Sequence, residues 1–308
     1  MAGDRLRIIC GPTAAGKSAL ALQLAEQYNA AIVSGDSRQI YCYFDIGTSK
    51  PTPEECASVT HFGIDVAEPT ERFSAARWAT EAEEWIECAA EIDKDHVIVG
   101  GTGLYIKALV EPLFAAPAMP ATRRAHLEAV LANNTLEELR RWCETLDPPR
   151  AHLGRTQLTR AIETALLSGS RISDLHAEHK TAVAGNGESL NAAYLVVDPG
   201  DVLGAKIEAR VDKMLGRGWA DEVRELMARI PADAPAWKAS GYRVMRSYVE
   251  GALDLSSARE RVIIETRQYA KRQRTWFRHQ LPTASVTQLN PDDPRALAIA
   301  REWWEKAE

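Results

Sequence analysis

The chain has 308 residues, with 37 Lys and Arg against 43 Asp and Glu, for a formal net charge of −6. That length supports one large or two modest domains with a proper core, and the acidic balance argues against wholesale coating of nucleic acid. No apolar run approaches the roughly 20 residues that span a bilayer, MAGDRLR contains no apolar leader, and five scattered cysteines without a CxxC pair read as reduced thiols. The expectation is a cytoplasmic globular protein.

The first element is LRIIC, a short buried strand at Leu6 to Cys10, followed by GPTAAGKS and a helix from Ala19 to Tyr28. The spacing Gly11, four residues, then Gly16-Lys17-Ser18 is that of a Walker A loop. Its glycines let the backbone curl so that the N–H groups point inward, and the helix N-terminus adds partial positive charge. Gly11, Pro12, Thr13, Ala14, Ala15, Gly16, Lys17 and Ser18 are therefore the expected phosphate cradle. Lys17 would reach phosphate oxygens and Ser18 would ligate Mg²⁺. The motif leaves open whose phosphate is held and which bond breaks.

Two further strands follow, AAIVSG ending at Asp36 and HVIVGG ending at Thr102, separated by a helix over Ala75 to Ile92. Strands alternating with helices predict a parallel sheet of P-loop type with flanking helices. Ligands in such sheets sit beyond the carboxyl ends of the strands, so Lys17, Asp36 and Thr102 are expected in one crevice. Asp36 could bind a metal, accept a proton or serve as a turn residue. Many nucleoside triphosphatases place an acid where Thr102 stands; a hydroxyl donates to a phosphate oxygen but supplies no charge.

After Phe114 the texture changes. AAPAMPATRR breaks the pattern, and helices are expected over Arg124 to Asn133, from Thr135 with a Thr135–Glu138 capping box, and over Thr156 to Leu167. Ala182 to Asn191 is small and polar, and AYLVVDP reads as a strand again. The division is a core of residues 1–114 and 191–308 with a helical insertion at 115–190. The last third is mostly helical, with a long helix from about Ser256 to Gln280 capped by Ser257 and Glu260. On it Arg267, Lys271, Arg274 and Arg278 are spaced four, three, four and share one face. Such a stripe suits a polyanion, or is a solvated face neutralised by acids elsewhere.

Taken together, GPTAAGKS, GDSRQIY, GTSKP, GGTGLYIKAL, TRAIETALLSG, IEARVDKMLGRGWADEV, SGYR and TRQYAKRQRTWFR resemble the tRNA dimethylallyltransferases, in that family's order and over nearly the whole chain. The resemblance implies a P-loop holding the diphosphate of dimethylallyl diphosphate, with Mg²⁺ as cofactor. It implies that Lys17 and Arg210 stabilise the leaving diphosphate, that Asp36 takes a proton from an adenine N6 amine, and that Thr102 binds the bridging oxygen. The implied acceptor is the adenosine 3′ of the anticodon in tRNAs reading codons that start with U. The tRNA anticodon stem-loop would be contacted by Asp36, Ser37, Arg38, Gln39 and Thr102. Arg124 and the stretch Thr156, Gln157, Leu158, Thr159 and Arg160 would add to that contact, with Arg267, Lys271, Arg274 and Arg278 gripping phosphates. No membrane association and a monomeric enzyme are implied. Two departures stand out: THFGIDV keeps a single histidine, His61, where the family usually has two, and Gln157 replaces a frequent arginine. The alternative is a P-loop phosphotransferase acting on a small metabolite.

Overall fold

The computed structural model describes residues 5–111, 119–178 and 190–307. It divides into two units, Met1–Glu111 with Leu190–Glu308, and Pro112–Ser189.

The first unit is built on a six-stranded, wholly parallel sheet. Its strands are β1 (Leu6–Cys10), β2 (Ala30–Ser34), β3 (His61–Phe62), β4 (Asp95–Gly100), β5 (Ala192–Val197) and β6 (Val286–Leu289), in the spatial order β3-β2-β4-β1-β5-β6. Every residue of β1, β2 and β5 is buried, as a parallel sheet covered on both faces requires. Helix α1 (Lys17–Gln27) and the C-terminal α12 (Ala296–Lys306) share one apolar cluster, where Leu24, Trp303 and Trp304 meet Ile9, Val97 and Leu195. Helices α3 (Ala75–Glu91) and α4 (Gly103–Val110) pack together. There Trp78 stacks on Tyr105 and donates its indole N–H to the Ser34 carbonyl at 3.0 Å. A short α2 (Pro53–Ser58) is held by a capping box of Thr52 and Glu55.

Four α-helices lie between β5 and β6: α8 (Leu203–Gly216), α9 (Trp219–Arg229), α10 (Tyr242–Val249) and α11 (Leu255–Gln280). The start of α11 corrects the sequence expectation. The cap is Asp254, whose carboxylate accepts from the Ser257 N–H at 2.8 Å. Ser257 is already inside the first turn, so a Ser257–Glu260 box cannot form.

The second unit contains α5 (Ala121–Ala132), α6 (Leu136–Leu146) and α7 (Arg155–Ser168). They close on a small core of Leu131, Leu139, Cys143, Leu158, Ile162 and Ile172. The expected Thr135–Glu138 box is present, and α7 ends on Gly169 in the left-handed region at φ 74°. The polar stretch over 182–189 lies outside the described residues, as does AAPA at 115–118.

Candidate active site

Three loops leave the carboxyl ends of β1, β2 and β4 side by side. The first, from Gly11 to Gly16, curls through a left-handed Ala14 (φ 62°) and delivers Lys17 as the first residue of α1. Strain of this kind concentrates at ligand-holding loops. The Lys17 ammonium donates to the Pro12 carbonyl at 2.7 Å. Burial, with Arg210 nearby, pulls its pKa down to about 8, and Asp36 opposes that shift. The loop thus holds a cation that any anion in the cradle would stabilise.

The second loop carries Asp36. One carboxylate oxygen accepts from the Arg38 N–H at 2.9 Å, and the other has no partner among the described residues. Gln39 is tied down on both sides, accepting from Ser34 Oγ at 2.9 Å and donating to the Ser49 carbonyl at 3.1 Å. It anchors GTSKP to this loop and lines the phosphate-side cavity.

The third loop carries Thr102. Its N–H donates to the Gly35 carbonyl at 3.2 Å, and its hydroxyl oxygen accepts from the Ser37 N–H at 3.0 Å. The ends of β2 and β4 approach so closely that a Cβ on Gly100 would lie 2.1 Å from the Gly35 carbonyl oxygen. Nearby on α11, burial together with the Asp36 charge raises the Tyr269 pKa to about 12, while the neighbouring Thr102 hydroxyl opposes that shift.

A cavity of about 460 Å³ opens beside the cradle, lined by Lys17, Ser18, Gln39, Lys50, His61, three cations of α8 and Arg217 just beyond its end. A smaller one of about 50 Å³ is lined by Thr13, Asp36, Arg38, Thr48, Trp219 and Tyr269. Arg210 lines both. Its guanidinium donates to the Thr48 carbonyl at 3.4 Å, and burial lowers its pKa while Asp36 opposes that shift. The structure therefore brings Lys17, Asp36, Thr102 and Arg210 together from four elements far apart in sequence.

Sequence reading passed over part of this site. Lys206 and Lys213 on α8, and Arg217 at its C-cap, join Arg210 in lining the cavity at spacings of four, three and four. Lys206 is paired with Asp292 at 2.6 Å; Lys213 and Arg217 have no acidic partner among the described residues. That spacing was present in KIEARVDKMLGR, Lys206 to Arg217. Tyr269 and Gln273 were also missed, and their roles depend on contacts no local pattern encodes.

The basic stripe of α11 differs from its sequence picture. Arg274 forms a two-pronged pair with Asp198, its Nε at 2.8 Å, and also meets the Gly200 carbonyl. Arg267 pairs with Glu208. Only Lys271 and Arg278 of the four lack an acidic partner among the described residues, because acids on the β5 turn and on α8 face the other two.

In the second unit, Arg124 and Arg160 converge on one carboxylate, Glu163, at 3.2 and 3.7 Å. Glu163 is 2% exposed. Thr156 and Gln157 are exposed in the first turn of α7 and Thr159 is half-buried. Leu158 corrects the sequence grouping: it is fully buried in the unit's core, so its side chain offers RNA no contact. Replacing the buried carboxylate by an amide leaves the Arg160 guanidinium without its counter-charge and Arg124 with Glu128 alone, at 3.3 Å. Glu163→Gln is expected to destabilise this unit by ~2 kcal/mol, read as a lower urea midpoint.

The IPP transferase family model matches residues 39–280. A curated tRNA dimethylallyltransferase from a Cyanothece species is 36% identical over 296 residues, covering 95% of this chain and 94% of the relative. The crystal structure of the full-length tRNA isopentenylpyrophosphate transferase from Bacillus halodurans is 31% identical with a TM-score of 0.69, covering 99% of this chain and 96% of that one. A eukaryotic dimethylallyltransferase, described as acting on tRNA, shares the fold at a TM-score of 0.77, covering 98% of this chain and 80% of that one at 22% identity. The matched family segment begins at Gln39, three residues after Asp36, and includes Thr102, Arg210 and all of α11 up to Gln280. With the phosphate cradle ahead of it, this chain belongs to the IPP transferase family of tRNA dimethylallyltransferases.

Proposed function

We propose that the chain transfers a dimethylallyl group from dimethylallyl diphosphate to N6 of the adenosine 3′ of the anticodon, in tRNAs reading codons that start with U. Diphosphate is the second product. The observation that carries this reading is the meeting at Arg210 of a phosphate cradle on one side and the Asp36 loop on the other, with Thr102 hydrogen-bonded to Ser37 of that loop.

Lys17, the loop amides and Arg210 would hold the diphosphate and stabilise the charge that develops as the allylic C–O bond breaks. The electron pair of that bond leaves with diphosphate, and the adenine N6 lone pair forms the new C–N bond. Asp36 then accepts the N6 proton on its unpaired oxygen, and Thr102 donates to the oxygen that had bridged carbon and phosphorus. An exocyclic amine conjugated into a purine is a poor nucleophile, so alignment must supply much of the rate. The acceptor base would be flipped from a stacked loop, which costs a few kcal/mol.

Magnesium fits the donors present. Ser18 is exposed on the larger cavity, and no group of three or more His, Cys, Asp or Glu suited to a metal occurs among the described residues. A hard dication held by Ser18 would complete its shell with diphosphate oxygens and water, and would neutralise charge on the leaving group. The enzyme is proposed to act as a cytoplasmic monomer; no helix among the described residues is long and apolar enough to cross a membrane.

The test is incubation with dimethylallyl diphosphate, Mg²⁺ and unmodified tRNA, followed by nucleoside mass spectrometry. A five-carbon addition to one adenosine is the expected result. No addition, together with phosphoryl transfer from ATP to a small metabolite, would overturn the reading.

A further inference from the structure

One buried side chain ties two of the three site loops together. Gln273 of α11 is 6% exposed. Its carbonyl oxygen accepts from the Thr13 N–H of the cradle at 2.8 Å, and its NH₂ donates to the Gly101 carbonyl at 2.8 Å. The partners lie 260 and 172 residues away in sequence. The fit leaves no slack, since a Cβ on Gly101 would lie 2.3 Å from the Gln273 amide nitrogen. The same face of α11 places Tyr269 beside Asp36 and Thr13 in the smaller cavity and packs Trp276 against Gly103.

Only a side-chain amide satisfies a backbone N–H and a backbone C=O at once in a single plane. In a buried setting both bonds are strong and neither group can turn to water. Gly101 immediately precedes Thr102, and Thr13 lies within the phosphate loop. We propose that Gln273 is a positioning residue: it fixes the separation between the diphosphate cradle and Thr102. Resting on the function proposed above, this spacing is that of the two ends of the bond to be broken, one held by the cradle and one by the Thr102 hydroxyl. A misplacement of about 1 Å costs ~10²-fold in rate.

The test is a double-mutant cycle in the full chain, with prenyl transfer measured under single turnover. Gln273→Ala removes the bridge, and Gly101→Ala displaces it with a methyl group while leaving α11 intact. Each is expected to lower the rate ~30- to 100-fold, with tRNA affinity within twofold of wild type. The double variant is expected to be no slower than Gln273→Ala alone, because the methyl then fills vacated space. Gln273→Glu, which keeps the acceptor and loses the donor, should be as slow as Gln273→Ala. Independent of chemistry, the Thr13 amide should exchange slowly in wild type and at least tenfold faster in Gln273→Ala. Additive losses in the cycle, a folded Gln273→Ala within threefold of the wild-type rate, or unchanged Thr13 exchange would overturn the assignment. A wild-type protein that transfers no prenyl group but protects Thr13 would sink the functional reading and leave the clamp standing.

Discussion

Asp36→Asn is expected to lower the rate of dimethylallyl transfer ~10³-fold at saturating substrates, within the range that removal of a general base produces. The amide preserves shape and can still accept from the Arg38 N–H, so the loop should keep its course. It cannot take a proton from N6. Binding of tRNA, followed by filter retention or fluorescence anisotropy, should stay within a few-fold of wild type. Equal losses in affinity and rate would mean that Asp36 holds RNA and does no chemistry. A second consequence is electrostatic. The Asp36 charge helps Lys17 keep its proton, so the variant should bind dimethylallyl diphosphate less well at high pH, and its loss of binding should begin at lower pH than in wild type.

Lys17→Met is expected to reduce kcat/KM for dimethylallyl diphosphate by ~10³-fold or more, since one preorganised donor at a developing anion is commonly worth that factor. The pH profile carries the diagnostic. With its pKa lowered to about 8, Lys17 is charged in the free protein below that pH and neutral above it. A bound diphosphate raises the pKa again. Binding is therefore strongest below pH 8, takes up a proton above it, and weakens as pH rises. The wild type should show this alkaline limb and Lys17→Met should lack it. The same shift predicts a stability change of opposite sign. A lysine whose folded pKa lies below its unfolded value of 10.5 opposes folding while protonated in both states. That penalty is fully present below pH 8 and fades between 8 and 10.5 as the folded form sheds its proton. Lys17→Met should thus raise the free protein's stability at neutral pH, by up to ~3 kcal/mol, while abolishing activity. A variant both inactive and less stable would refute this account of the cradle.

What the sequence made legible was whatever is local or periodic. The cradle could be read because strand, loop and helix follow one another without interruption, and β1, β2, β4 and β5 because continuous apolar runs mark strands covered on both faces. The two edge strands left no such mark. β3 is two residues long, and VTQL in β6 mixes polar with apolar positions. The candidate site divides the same way. Lys17, Asp36 and Thr102 could be placed together because they end consecutive parallel strands. Charge spacing was informative in kind but not in location: the four-three-four rhythm of α11 is half neutralised by Asp198 and Glu208, whereas the same rhythm along α8 and its C-cap Arg217 lines the cavity. Counting charges along a helix finds a face and says nothing of what opposes it. Gln273 gave no signal at all, because a lone glutamine gains its role only from two backbone groups brought to it by the fold.

The crowding between β2 and β4 has a consequence for the history and engineering of this scaffold. An acid beside the end of β4 is what would let a P-loop protein organise water and metal for nucleotide hydrolysis, either where Thr102 stands or at Gly100, the last residue of the strand. At Gly100 no side chain of any kind fits, because the Gly35 carbonyl already occupies the space where its first carbon would go. Conversion to an ATPase through that position is thus closed to point mutation. It would require the two strands to part first, and the Asp36 and Thr102 loops would be pulled apart with them.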